Sequence, residues 1–210
     1  LDIGLKSKYS INDINENIIL NVRKKDNNFS FDLDVDLDSA VIFIDELEYI
    51  KNKDIKSNLY LKGVYKNNKE IIFNNIKFNE EENFFLINNL EIGKDDKIKN
   101  IDLLKINLIN KTGKKNEIEF KKVNDNYLLS GSEFDGTKNI QNLLDNSSKS
   151  IFANFKNLNT YIYLDIGEYF VDNFSYLSNV KGEIQIKSNK VFNSNINAKL
   201  NNKRKFKINI

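Results

Sequence analysis

Residues 29–38 read FSFDLDVDLD, an unbroken alternation of apolar and polar side chains. A period of two places Phe29, Phe31, Leu33, Val35 and Leu37 on one face of an extended strand, and Ser30, Asp32, Asp34, Asp36 and Asp38 on the other. The pattern returns in residues 60–65 (YLKGVY), 117–120 (EIEF), 161–166 (YIYLDI), 183–188 (EIQIKS), 196–200 (INAKL) and 206–210 (FKINI). Strands with one apolar and one solvated face belong to antiparallel sheets. The expected fold is therefore mostly β: a long, curved antiparallel sheet, groove-like or taco-like, with one short helix.

Composition narrows the chemistry. With 210 residues and 40% hydrophobic content the chain has enough apolar mass for a real core. Its 32 Lys and Arg nearly balance 30 Asp and Glu, so no overall field steers it to nucleic acid. It contains no His, Cys, Pro, Met or Trp and is rich in Asn, Lys and Ile, a bias of the kind an AT-rich genome imposes. Lack of His and Cys excludes a thiol nucleophile, a Ser-His-Asp triad, the usual zinc sites and disulfides. No apolar run approaches the length of a membrane-spanning helix, and residues 1–210 contain no stretch that reads as a signal peptide. With Leu1 at the start and the alternating KFKINI at the end, the chain is expected to be a segment of something longer, with any anchor or export signal upstream of Leu1.

Strands are predicted at Glu16 to Lys24, Phe29 to Asp38, Ala40 to Ile50, Ile55 to Lys66, Glu70 to Asn79, Asn83 to Ile92, Ile101 to Asn110, Asn116 to Val123 and Asn126 to Ser132. Further strands are predicted at Ile151 to Leu158, Thr160 to Glu168, Val180 to Lys187, Val191 to Leu200 and Arg204 to Ile210. Short polar spacers between them favour a meander over βαβ crossovers, with turns that rely on Asn and Gly because proline is absent. The exception is Asp135 to Ser150. There Ile140, Leu143 and Leu144 fall at helical spacing behind Asp135 as a cap. Tyr169 to Tyr176 reads as a loop or helical turn.

No polar cluster reads as a reaction centre. Asp32, Asp34 and Asp36 open like an EF-hand loop, but its sixth and twelfth positions are Leu37 and Phe43, so a solvated strand face is the simpler reading. A two-carboxylate glycosidase needs no His, yet Glu46 with Glu48, or Glu80 to Glu82, read as surface charge. Lys203, Arg204, Lys205 and Lys207 alternate with Phe206 and Ile208 as the wet side of a strand. Gly63, Gly131, Gly136, Gly167 and Gly182 fit no phosphate-binding motif and are expected at bulges and turns. The chain is expected to be no enzyme and to hold no metal or cofactor. About a dozen strands with a single short helix leave part of the apolar face needing another partner.

The second half of the chain resembles the C-terminal part of an AsmA-like domain, of the YhdP and TamB type of bacterial envelope protein. Residues 127–144 (YLLSGSEFDGTKNIQNLL) are similar to the family's strand, glycine, apolar-Asp junction and short helix ending in a leucine pair. Residues 160–167 (TYIYLDIG) resemble the amphipathic strand that follows. Residues 177–186 (LSNVKGEIQI), with Ile196 to Leu200 and Phe206 to Ile208, resemble the closing meander. Asn201-Asn202 stands where the family often has Gly. The match covers 101–210, and 1–100 only as generic amphipathic strands, so that 1–210 reads as a single segment of a longer protein.

The resemblance implies a curved β-groove anchored at the inner membrane by a part upstream of residue 1 and reaching into the periplasm. Along it phospholipid acyl chains would pass to the outer membrane without a catalytic residue. It implies partners at both membranes through parts outside this segment, and no nucleic acid. Alternation alone picks the lining of such a groove: Phe31, Leu33, Val35, Leu59, Leu61, Ile162, Leu164, Ile166, Ile184, Ile186, Ile196, Leu200, Phe206 and Ile208. The alternative is a structural or interaction module, a closed sandwich or solenoid such as an envelope assembly factor or adhesin, whose apolar face is simply core.

Overall fold

The structure is a computed structural model that describes residues 2–11, 14–144 and 151–209. In chain order the strands are β1 (Asp2–Ile11), β2 (Ile14–Lys25), β3 (Asn28–Asp36), β4 (Ile42–Ile44), β5 (Tyr49–Lys51), β6 (Ser57–Tyr65), β7 (Ile71–Glu80) and β8 (Asn83–Ile92). They continue as β9 (Ile98–Asn100), β10 (Leu103–Ile109), β11 (Lys115–Val123), β12 (Asn126–Asp135), β13 (Thr160–Phe170), β14 (Tyr176–Lys187), β15 (Lys190–Leu200) and β16 (Arg204–Asn209). The one α-helix, α1, spans Thr137–Leu144, and 3-10 turns occupy Asp45–Leu47 and Ile151–Asn154. Fourteen strands hydrogen-bond in the order β1-β2-β3-β6-β7-β8-β10-β11-β12-β13-β14-β15-β16, with β9 on β8, while β4 and β5 pair separately. The fold is thus mostly β with one short helix, as the alternation predicts.

The sheet is mixed. Every register pair in the main sheet from β1 to β8 is antiparallel, but β12 and β13 run parallel, from Tyr127↔Ile162 to Asp135↔Phe170. A parallel pair cannot be joined by a hairpin and needs a long crossover. Residues 136–159 supply it, and α1 lies within it. The strand expected at Ile151 to Leu158 is therefore instead part of this connection, with a 3-10 turn at its start. The helix begins at Thr137, and residues 145–150 of the expected helix lie outside the described residues, as do the side chains of Leu143 and Leu144. Tyr169 to Tyr176, expected as a loop or helical turn, contains a tight hairpin closed by Val171 N–H to the Ser175 carbonyl at 3.0 Å. The expected strand Ala40 to Ile50 is broken into β4, a 3-10 turn and β5, with Glu48 left-handed between them.

Contact density divides the chain into two compact units, Leu1–Phe43 with Tyr49–Leu104 and Ile44–Glu48 with Lys105–Ile210. Both are stitched by tight turns. Asp26, Glu81, Asn124, Ser188, Asn189, Asn201 and Asn202 take positive φ there, whereas Gly113 is a rare glycine used in this way. Asn and Asp tolerate the left-handed region because their short side chains bond locally. Asn201-Asn202 therefore does the work expected of glycine.

Glycine instead removes side chains inside strands. On β6, Gly63 faces Phe31 on β3 and Phe73 on β7, beside a register shift after Lys62. The rings of Phe31 and Phe73 meet edge to face across it at 5.7 Å. A Cβ there would lie 2.7 Å from Cζ of Phe31 and 2.3 Å from the Ile72 carbonyl. On β14, Gly182 lies between Leu164 and Ile196, and a Cβ would stand 2.1 Å from the Asn195 carbonyl. Gly182→Ala should therefore destabilise the protein by about 1–3 kcal/mol. Gly4→Ala, which meets only the movable Asn21 Oδ1 at 3.3 Å, should be near neutral. Urea denaturation of both variants, followed by circular dichroism, checks the contrast.

Candidate functional site

In the first unit, register gathers apolar side chains into rows across strands. One row runs Ile18, Val35, Leu59, Phe78, Phe85 from β2 to β8; the next runs Leu5, Leu20, Leu33, Leu61, Ile76, Ile87 from β1 to β8. A third runs Ile3, Val22, Phe31, Gly63, Phe73, Leu90. Phe31, Leu33, Val35, Leu59 and Leu61, picked by alternation, are thus brought together as direct neighbours, and all five are half-buried. Ile3 and Leu5 are half exposed. Phe78 is fully buried, stacked on Phe85 at 5.3 Å with Tyr49 edge-on at 6.3 Å.

The opposite face is a polar lattice. Asp32 accepts a hydrogen bond from the Tyr60 hydroxyl at 2.9 Å, Asp34 from the Asn58 amide, and Asp36 from the Asn17 amide at 2.7 Å. The three acids therefore tie strands together, and among the described residues no group of His, Cys, Asp or Glu could hold a metal ion. Two acids expected as surface charge lie elsewhere: Glu80, on the apolar face two residues beyond Phe78, is buried and accepts from Tyr49 and Asn83, and Glu48, in the turn between β4 and β5, pairs with Lys111 at 2.8 Å.

The apolar rows stop at a polar one. Tyr9 opposes Glu16, Ser57 opposes Glu80 and Glu80 opposes Asn83, and the segment between β3 and β6 folds back here. Glu16 accepts from the Tyr9 hydroxyl and the Ser39 N–H. Burial alone would raise its pKa, but these donors and Lys51 outweigh it and hold the carboxyl below its usual range. Lys51 is wholly enclosed, its ammonium donating to the carbonyls of Asp38 (2.9 Å), Ala40 (2.8 Å) and Asn52 (3.0 Å). Burial pushes its pKa down, opposed by Glu80, Asp38 and Glu16. Burial and the bond to Glu80 push Tyr49 far up. Buried ions with full hydrogen bonding are costly to break one partner at a time.

In the second unit the nine residues picked by alternation also share one sheet. Leu164 opposes Gly182, Ile162 opposes Ile184, Ile196 opposes Ile208, and Ile166 opposes Val180. Their surroundings differ, however. Ile162, Ile166 and Ile186 are fully buried, Leu164, Ile184, Ile196, Leu200 and Ile208 half-buried, and Phe206 exposed. Ile166 belongs to a core with Leu177, Val180 and Ala198, against which Leu164, Ile196 and Leu200 pack. Left-handed Asn179 lies at a register shift that sets Leu177 and Val180 in the same core.

A second buried polar node fixes the start of the crossover. Asp135 accepts from the Thr137 N–H (3.1 Å) and hydroxyl (2.6 Å) and from the Asn110 amide (2.8 Å), with the Lys114 ammonium 3.5 Å away. Its own N–H donates to Asn116 Oδ1 at 2.9 Å. Burial would raise the Asp135 pKa, but the donors prevail and hold it below the ordinary value of 3.8.

Alternation missed Ile18, Leu20, Val22, Phe73, Ile76, Phe78, Phe85, Ile87 and Leu90. Their strands carry apolar residues on both parities, as in residues 84–87 (FFLI), so the face is readable only by counting register back from the turns. No protein-family model, curated protein or solved structure matches the chain.

Removing the enclosed ammonium in Lys51→Met leaves three carbonyls and two buried acids uncompensated. We expect a loss of about 3–5 kcal/mol in urea denaturation. Asp135→Ala should cost about 1–3 kcal/mol at pH 7. Because its folded pKa is depressed, that contribution is complete above the ordinary value of 3.8 and fades as pH falls through the folded value. The gap between wild type and variant should therefore close in acid; a constant gap would mean that the carboxylate charge is not its source.

Proposed function

We propose that the chain is a segment of an AsmA-like bacterial envelope protein that transfers phospholipid passively between inner and outer membrane along an apolar β-surface. On this reading it is periplasmic, held at the inner membrane by a part upstream of residue 1. The observation that carries the proposal is the set of apolar rows across β1, β2, β3, β6, β7 and β8, most of whose side chains are only half-buried by their own neighbours. At about 4.8 Å per strand, a row crossing six strands spans roughly 24 Å. That exceeds the ~15 Å hydrocarbon depth of one leaflet, so an acyl chain can lie along a row. Each methylene laid there gains about 0.8 kcal/mol, and the polar row at Glu16 and Glu80 gives the surface a boundary. Sliding between equivalent apolar rows needs no bond to be broken and no catalytic group.

The buried Ile162, Ile166 and Ile186 favour a second reading, in which this face is closed core in a structural module. Lipid extraction with native mass spectrometry separates the two. The purified segment should carry phospholipid, and Leu33→Asp should lose it while keeping its β-sheet circular dichroism. Leu164→Asp, placed against a packed core, should cost about 1–3 kcal/mol of stability. A folded, lipid-free wild-type segment would favour the structural module.

A further inference from the structure

The end of the β14-β15 hairpin carries exposed apolar side chains and unpaired positive charge together. Lys187 opposes Lys190 across a turn in which Ser188 and Asn189 both have positive φ. Asn193 pairs with Gln185 and Val191 with Ile186, so Phe192 is the extra residue of a bulge. A bulge re-aims a side chain, and the Phe192 ring lies 3.5 Å under the Lys187 ammonium. Phe192 is 59% exposed on the face of Lys187, whereas Val191 opposes the buried Ile186 on the other face. On the adjoining part of β13, Tyr161 and Tyr163 are 37% and 42% exposed, their rings nearly parallel at 6.4 Å. Tyr161 opposes Gln185 on β14, one step from the hairpin end.

The turn is held in place. The Asn189 N–H donates to the Leu158 carbonyl at 3.1 Å and its side-chain amide to the Phe155 carbonyl at 2.8 Å, tying the tip to the crossover. Among the described residues neither Lys187 nor Lys190 is paired with a carboxylate, whereas Lys181, farther along β14, pairs with Asp165 at 3.3 Å. The patch is therefore basic and apolar at its tip, while farther along β14 Glu183 opposes Tyr163 and adds negative charge.

We infer that this hairpin end docks on an anionic phospholipid surface. Phe192 enters the headgroup boundary, Tyr161 lies with apolar ring and polar hydroxyl at the interface, and Lys187 and Lys190 meet lipid phosphates. A single-stranded nucleic acid fits less well. It needs a continuous basic track beside its stacking rings, but Glu183 interrupts the track at Tyr163 and leaves only the hairpin tip basic. Docking here is independent of transfer along the apolar rows of the first unit.

The test is co-sedimentation of the 210-residue chain with phosphatidylcholine vesicles, with and without one third phosphatidylglycerol. Binding is expected to the anionic vesicles. Lys187→Glu with Lys190→Glu should weaken it at least about tenfold, since each lysine near the surface is worth about fivefold. Phe192→Ser should weaken it severalfold. Lys205→Glu with Lys207→Glu on β16 makes the same change in net charge and should stay within about twofold of wild type. If the reversed pair fails to fold, the milder Lys187→Gln with Lys190→Gln takes its place. Equal loss in both charge pairs, no loss in either, or no vesicle binding overturns the inference. So does displacement from vesicles by a single-stranded oligonucleotide whose own binding depends on Lys187 and Lys190. Vesicle binding without lipid extraction would leave this docking intact while removing the transfer reading.

Discussion

Cross-strand register is the constraint on which everything else rests. A shift of one residue between β3 and β6 would carry Leu33 and Val35 to the face of Asp32 and Asp34. Leu33 meets Leu20 on one side and Leu61 on the other only because the Asp26 turn and the return at Ser57 set the count. The polar lattice enforces the same count from the opposite side, since Tyr60 reaches Asp32, and Asn58 reaches Asp34, in one alignment alone.

Each unit also contains a buried polar node where its regular pairing is interrupted. In the first, Lys51 fills a cage of carbonyls as the chain leaves β3 and returns in β6. In the second, Asp135 closes β12 and starts the crossover to β13. Both sites bury charge, which is tolerable because the Lys51 ammonium and the Asp135 carboxylate are themselves hydrogen-bonded. Their value lies in position: each makes one path of the irregular chain much better than its neighbours, which apolar burial alone does not do.

Fold class was legible because alternation survives in β3, β6, β13, β14 and β16 and because helical spacing marks α1. Asp135, expected as the helix cap, instead ends β12 and bonds Thr137 from one residue before the cap position at Gly136. Parallel pairing of β12 and β13 was not legible, because a parallel and an antiparallel strand of this length can share one alternating pattern. The β2, β7 and β8 contributions to the apolar face were hidden by consecutive apolar residues such as Ile18, Ile19 and Leu20. Lys51 looked like one surface lysine among many. What buries it is a reversal of chain direction that no local pattern encodes, and the same holds for Asn110 reaching Asp135 from another hairpin.

The crossover has a kinetic meaning. From β1 to β3 and again from β6 to β8, the pairing joins neighbours in sequence through short turns, so loops close early and cheaply. β13 must instead find β12 after residues 136–159 have been looped back. With no proline anywhere, no peptide isomerisation delays either route. Until β13 docks, the edge of β12 stays open to pairing with another chain, as the edge of β3 does until residues 37–56 have brought β6 back.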